Sequence, residues 1–185
     1  MPRAGLSAAA VVDVALGVVD EQGNGALTLA AVAQRAGVAT PSLYKHIAGL
    51  GELRTLLGVR VLEDMTEHFT RSVLGRSGDD AVTALMHAYR AYVKEHPARY
   101  AAVPLDPLHD PALAEAGGKL IEVALGAFRA YDLSPSDAIH AVRRLRAVAH
   151  GFASLEAGGG FGLPEDLDHT YDQLIVAVLR GLADN

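Results

Sequence analysis

The chain has 185 residues, half of them hydrophobic, a net charge of -6 and a pI of about 5.7. That is enough apolar material for a real core, in one domain or in a small module joined to a larger one, and it excludes a disordered tail. Cysteine is absent, which removes disulfide frameworks, thiolate zinc sites and cysteine nucleophiles together and fits a reducing compartment.

Helical periodicity dominates from the start. Val11, Val14, Ala15, Val18 and Val19 fit the spacing of one helix face, with Ser7 as candidate N-cap and Gly23 to Gly25 as the stop. Asp13 interrupts this apolar run, and Asp20 and Glu21 follow where a secretory signal needs small residues, so the segment reads as a retained helix. Thr28 caps a short second helix to about Ala36, Gly37 ends it, and Thr40-Pro41 opens a third with threonine as N-cap and proline at the first helical position. From about Gly49 a longer helix carries Leu53, Leu56, Leu57, Val61, Met65 and Phe69 on one stripe, and the run Arg76 to Asp80 breaks it. Asp79 or Asp80 starts the next helix, which His96-Pro97 ends at about Glu95. The three-proline stretch VPLDPLHDP reads as a loop; helices then run over about 111–131, from Ser134-Pro135 to about Glu156, and over about 164–183. No alternating run of β-branched residues suggests a strand. The expectation is an all-α fold of about nine helices, with no uncharged apolar run near the roughly 20 residues of a membrane span and therefore a cytoplasmic location.

Charge is divided unevenly. Residues 1–60 hold five Lys or Arg (Arg3, Arg35, Lys45, Arg54 and Arg60) against four acids, a net of +1, so the remainder carries -7. Within the less acidic part, ATPSLYKHI (Ala39 to Ile47) gathers two hydroxyls, a tyrosine, a lysine and a histidine. Ala33 and Gly37 stand four apart with Val32, Val38 and Leu43 apolar, the pattern of a helix-turn-helix in which a small residue permits close approach and a glycine takes the turn. Leu43 and Ile47 then dock inward, leaving Pro41, Ser42, Tyr44 and Lys45 outward at a helix N-terminal end, where a major groove would meet them.

The run LTLAAVAQRAGVATPSLYKHIAGLGELRTLL resembles the DNA-binding segment of the tetracycline-repressor (TetR) family, in its threonine-capped helix, AGV-type turn and LYxHF-like recognition helix. The later helices are similar to that family in order and length, and EHPARYAA (Glu95 to Ala102) is similar to one branch of its regulatory domains. The resemblance implies a helix-turn-helix domain over 1–48 and a helical ligand-binding and dimerisation domain over 49–185. It implies base or nearby backbone contacts at Thr40, Pro41, Ser42, Tyr44 and Lys45, and phosphate contacts at Thr28 and His46. Two cationic positions of the family pattern are replaced by Ala30 and Leu50, so Arg3 and the amides around Gly49 to Gly51 are the substitutes expected at phosphate.

Two further groups follow from the second part. Ile139, Val142, Leu145, Ala149 and Phe152 form an apolar stripe on one helix, and Leu167, Tyr171, Leu174, Ile175, Val178 and Leu182 form one on the last. Simple packing explains such stripes; the resemblance implies a homodimer interface of four helices. Met65, Phe69, Met86, Tyr89, Tyr92, Phe128 and Phe152 read first as core, and by resemblance as the wall of a pocket for an apolar or aromatic effector, with Tyr89, Tyr92, Arg144 or His150 as polar contacts. The eight histidines show no convincing metal-ligand spacing, the glycines at 158–162 lack the strand a dinucleotide site needs, and no nucleophile motif is present. Neither catalysis, a metal nor a cofactor is expected. The sequence therefore points to a ligand-responsive regulator, most simply a repressor, that binds a near-palindromic DNA operator as a dimer and is released by a small-molecule effector. The alternative is a helical ligand-binding or protein-interaction module with little DNA affinity.

Overall fold

The computed structural model describes residues 6–183, and among them the fold is helical with no strand. Eight α-helices are present: α1 (Ala8–Gln22), α2 (Leu29–Ala36), α3 (Leu50–Val73), α4 (Gly78–Glu95), α5 (Pro97–Tyr100), α6 (Ala114–Ala127), α7 (Pro135–Ala157) and α8 (Leu167–Ala183). A 310 helix over Thr40–Lys45 makes a ninth helical segment of two turns, and three further 310 turns are three residues each. No helix among the described residues is long and apolar enough to cross a membrane. The chain forms two compact units, one of Met1–Glu63 with Ala98–Gly117, the other of Asp64–Pro97 with Gly118–Asn185.

In the first unit local signals set the helix ends. The Ser7 hydroxyl accepts from the Ala10 N–H at 3.2 Å, and Gly23, at a φ of 81°, closes α1 by donating to the Val19 carbonyl at 2.8 Å. The buried face of α1 is Val11, Val12, Ala15, Leu16, Val18 and Val19; Val14 lies at its margin, half-buried. Leu27, Val32, Ala33, Leu43, Ile47, Leu53 and Leu57 complete this core. Leu113, buried ahead of α6, lies so close to Gly58 that a Cβ there would stand 3.2 Å from its methyl.

The second unit is organised by α4, α7 and α8, each packed on the other two. Val82, Leu85, Met86, Tyr89 and Val93 of α4 are buried, as are Ala141, Leu145, Ala149, Phe152 and Ala153 of α7 and Tyr171, Ile175, Val178 and Leu182 of α8. Ser134 caps α7 by accepting from the Asp137 N–H at 3.2 Å and donating to the Asp137 carboxylate at 2.6 Å.

Three boundaries differ from expectation. Asp110 accepts the Ala112 amide at 2.9 Å through its side chain, and its carbonyl accepts from Leu113 and Ala114, so 111–113 are a turn and α6 starts at Ala114. After Ala127 the chain tightens into a 310 turn at Arg129–Tyr131 and closes on Asp132 in the left-handed region. In α8, Asp166 takes the first amides, 2.8 Å from Asp168 N, so the helix begins at Leu167 and not near Pro164.

Candidate nucleic-acid interface

Thr28 stands in extended conformation before α2, and its hydroxyl accepts the Ala31 N–H at 3.1 Å, which fixes the start of that helix. At the other end Gly37 is left-handed, with a φ of 68°, and its N–H reaches Gln34 O at 3.2 Å while the Val38 N–H reaches Ala33 O at 3.0 Å. This paired closure, built on the residue type that tolerates positive φ, turns the backbone within one residue. Val32 and Ala33 are buried against α1, whose contact with α2 holds the pair together.

The segment after the turn is a 310 helix and not the α-helix its sequence suggests. Ala39 occupies the cap position and no side chain caps it, so Thr40 is the first helical residue and its hydroxyl does not serve as the N-cap. Bonds from Ser42 N to Ala39 O at 2.8 Å and from His46 N to Leu43 O at 2.9 Å define a three-residue repeat. Residues three apart therefore share a face. Leu43 is fully buried, Ile47 is buried, and Thr40, which shares the side of Leu43, is half-buried. Pro41 and Tyr44 fall on an exposed side, Tyr44 at 56 % exposure; Lys45 is exposed, and Ser42 and His46 are half-buried. Thr28 is exposed at the start of α2. The inward leucine and isoleucine thus anchor a short helix whose other positions present hydroxyl, phenol and ammonium groups.

Most cations of this unit are engaged elsewhere. Arg35 on α2 grips Glu21 on α1 through two bonds of 2.5 and 2.8 Å, and it lies across Gly17, where a Cβ would stand 2.7 Å from the guanidinium. The same interaction holds the Glu21 carboxyl below its ordinary range. Arg99 of α5 clasps Asp20 at 2.7 and 2.6 Å, and Arg60 stands 3.4 Å from Asp13. Glu52 turns back to accept the Ala48 N–H, so one amide before α3 already has a carboxylate partner. Ala30 is exposed and Leu50 half-buried; Arg3 lies outside the described residues.

The residues considered for an effector site occupy several places in the second unit. Met65, Phe69, Met86, Tyr89, Tyr92, Phe128 and Phe152 are all buried. Phe69 stacks on Tyr89 with centroids 5.4 Å apart, and Tyr92 lies 5.7 Å from His68 and 5.1 Å from His96. Phe152 packs instead on Tyr171 and Phe161, while Phe128 contacts Tyr131 and lines an open depression of about 290 Å³ with Leu125, Arg129, Asp132, Leu133 and Ala138. Arg144 donates through Nη1 to Gly181 O at 2.8 Å, with Nε and Nη2 buried and unpartnered among the described residues. His150 is half-buried, and burial followed by the nearby Arg146 charge lowers its pKa.

The apolar stripes on α7 and α8 face the chain's own core. Leu145, Phe152, Tyr171, Ile175, Val178 and Leu182 are buried without any second copy, in a unit where α4, α7 and α8 pack on one another; Val142, Leu167 and Leu174 are half-buried, and Ile139 is 48 % exposed. Periodicity found the buried side of each helix, which is the inner one. The apolar side chains left outside are Leu155 and Val176 along with Ile139.

Sequence reasoning also missed a charged centre. Arg90 on α4, 6 % exposed, makes two bonds to Glu156 at 2.6 and 2.8 Å and stands 2.8 Å from Asp168. Lys94 adds a contact to Glu156 at 2.8 Å, and the Arg90 guanidinium lies over the rings of Phe152 and Tyr171 at 5.2 and 5.0 Å. Hydrogen bonding to Glu156 raises the Arg90 pKa, and the reciprocal bond lowers that of Glu156.

Comparison with known proteins converges on one group. Residues 11–47 match the family described as bacterial regulatory proteins, tetR family, and residues 82–178 match the one described as tetracyclin repressor-like, C-terminal domain. The uncharacterized HTH-type transcriptional regulator YobS of Bacillus subtilis is 35% identical over 186 residues, which cover 100% of this chain and 96% of YobS. Among solved structures, a protein of unknown function from Rhodococcus sp. RHA1 superposes with a TM-score of 0.83 at 24% identity, covering 99% of each chain. The TetR family protein ActR of Streptomyces coelicolor, solved in complex with (S)-DNPA, gives a TM-score of 0.73 at 19% identity over 98% of each chain. At these identities the two structures share the fold.

Proposed function

We propose that this chain, which belongs to the TetR family of helix-turn-helix transcriptional regulators, binds a near-palindromic operator as a homodimer and represses transcription until a small effector releases it. Residues 1–48 are the DNA-binding part and 49–185 the regulatory and dimerisation part. The observation that carries this reading is the division of Thr40–Lys45: Leu43 is fully buried and, with Ile47, docks the segment, while Pro41, Tyr44 and Lys45 are left exposed beyond a tight glycine turn. Thr40, Pro41, Ser42, Tyr44 and Lys45 meet bases or adjacent backbone. His46 meets phosphate, as does Thr28, whose oxygen is spent as the cap but whose O–H remains a donor.

Dimerisation uses the outer surface of α7 and α8 around Ile139, Leu155 and Val176, since the inner stripe is already covered. The effector is apolar or aromatic and approaches the rings of Phe69, Tyr89 and Tyr92, of which Phe69 and Tyr89 stack on each other. To act, it must bind more tightly to a form of the dimer that no longer fits the operator than to the form that does.

The test is a gel shift on DNA flanking the coding region, at two salt concentrations, with wild type and Tyr44→Ala. The expected result is salt-sensitive binding to one segment, weakened about tenfold or more in Tyr44→Ala, as the loss of a good base contact predicts. A folded wild-type protein that binds none of these segments at low salt removes the reading. It would favour a protein-interaction module, for which Ala30 and Leu50, in place of cations, are the supporting observation.

A further inference from the structure

The first compact unit contains five cations among its described residues: Arg35, Lys45, Arg54, Arg60 and Arg99. Three are matched to acids, Arg35 to Glu21, Arg60 to Asp13 and Arg99 to Asp20. Lys45 and Arg54 are left, both exposed and neither paired with an acid among the described residues. Lys45 belongs to the helical segment already assigned to DNA. Arg54 has no assigned role.

Its position gives it one. Arg54 follows Leu50 by four residues on α3, so the two share a helix face. A helical side chain leans back over the turn preceding its own Cα, so the surface within reach of Arg54 is that of Leu50 and Gly51. That surface is open: a Cβ added at Gly49 or Gly51 would meet nothing within 4 Å. Helical spacing also leaves Arg54 unneutralised, because positions 50, 51, 57 and 58, three and four residues away, carry no acid. The one acid in the first turn, Glu52, is held on the Ala48 amide.

We propose that Arg54 is a phosphate-contacting residue of the DNA interface, supplying from one turn further along α3 the positive charge that Leu50 does not provide. A guanidinium suits this role: it is permanently charged, long enough to reach back a turn, and grips phosphate through two parallel N–H donors. The contact is to backbone and strengthens binding to any duplex equally, with no effect on base preference. The proposal rests on the DNA-binding function set out above and adds a residue to it.

Because phosphate contacts are independent of sequence, the operator is not needed for the test. Full-length protein is titrated against a mixed-sequence duplex of roughly 30 base pairs, about three turns, by fluorescence anisotropy from about 50 to 200 mM salt. Wild type, Arg54→Ala, Arg54→Lys and Leu50→Lys are compared, with thermal melting followed by circular dichroism to show that each is folded. The expected result is a salt slope shallower by about one in Arg54→Ala, retained in Arg54→Lys and steepened in Leu50→Lys. A slope in folded Arg54→Ala equal to that of wild type overturns the assignment of Arg54 and leaves the DNA-binding function standing. Absence of salt-dependent binding by wild type overturns both.

Discussion

Lys45, on a six-residue 310 segment, and Arg90, on the long helix α4, are both helical cations, and the molecule treats them in opposite ways. Lys45 stands exposed with no acid paired to it among the described residues, on a segment whose buried side chains are Leu43 and, just past its end, Ile47. Arg90 is enclosed, held by Glu156 and Asp168 and covered by two aromatic rings. A charge that is buried and fully paired has its interactions satisfied inside the chain and fixes three helices. A charge left unpaired at the surface has its hydrogen-bonding capacity available to a partner from outside. The contrast separates two ways of placing charge: one leaves a cation at the surface, the other holds a buried one between three helices.

The contrast is broken most severely by removing Arg90. Arg90→Ala leaves Glu156 with Lys94 alone and Asp168 without its partner, and deletes the cover over Phe152 and Tyr171. Truncating one member of a buried pair typically costs about 3–5 kcal/mol, and a loss in that range is expected in urea unfolding monitored by circular dichroism. Lys45→Ala, in the same assay, should stay within about 0.5 kcal/mol of wild type. If Arg90→Ala unfolds at nearly the wild-type midpoint, the cluster is ornament and the comparison fails.

A sharper version lies within Thr40–Lys45 and the turn before it. Leu43→Ala opens a cavity at a fully buried site, for which a loss of about 3 kcal/mol is typical, and docking of the whole segment should loosen with it. Gly37→Ala places a Cβ where φ is 68° and should cost about 1–2 kcal/mol. Tyr44→Ala removes an exposed ring and should leave the melting curve unchanged. DNA binding should fall in all three, but only the first two should show it together with lost stability. Equal melting of Leu43→Ala and wild type would contradict the anchoring role of Leu43.

These effects also mark how far sequence could be read. The caps at Ser7 and Thr28, the helix start at Ser134-Pro135 and the turn at Gly37 were legible because each depends on residues within four positions, where side-chain chemistry decides the backbone. The inward placement of Leu43 and Ile47 followed from the same local pattern. The starts of α6 and α8 were displaced by Asp110 and Asp166, acids that compete with nearby prolines for the first turn. The 310 geometry of Thr40–Lys45 was not visible, since Thr40-Pro41 is equally suited to open an α-helix. Periodicity marked Tyr171, Ile175 and Leu182 as apolar without saying what covers them, and the answer is the chain itself. Arg90 and Glu156, 66 positions apart, share no local signal at all.

The smallest expected effect is on acid stability, and it distinguishes the buried side of the comparison by its sign. His150 is held below the ordinary imidazole value, chiefly by burial, so the unfolded chain takes up its proton more readily than the folded one. Stability tied to this group is therefore complete above about 6.5 and declines as pH falls below it, the unfolded state binding more protons. Glu156 is held below the ordinary carboxyl range by its bonds to Arg90, so its contribution is complete above that range and is lost at more acid pH, from the ordinary value down through the depressed one. Two successive declines are expected in urea midpoints measured from neutral to acid pH. His150→Gln should flatten the first and spare the second, since glutamine carries no titrating proton and does not touch the Arg90 pair. A first decline that survives His150→Gln would assign the acid sensitivity to another group and leave burial of His150 without energetic consequence.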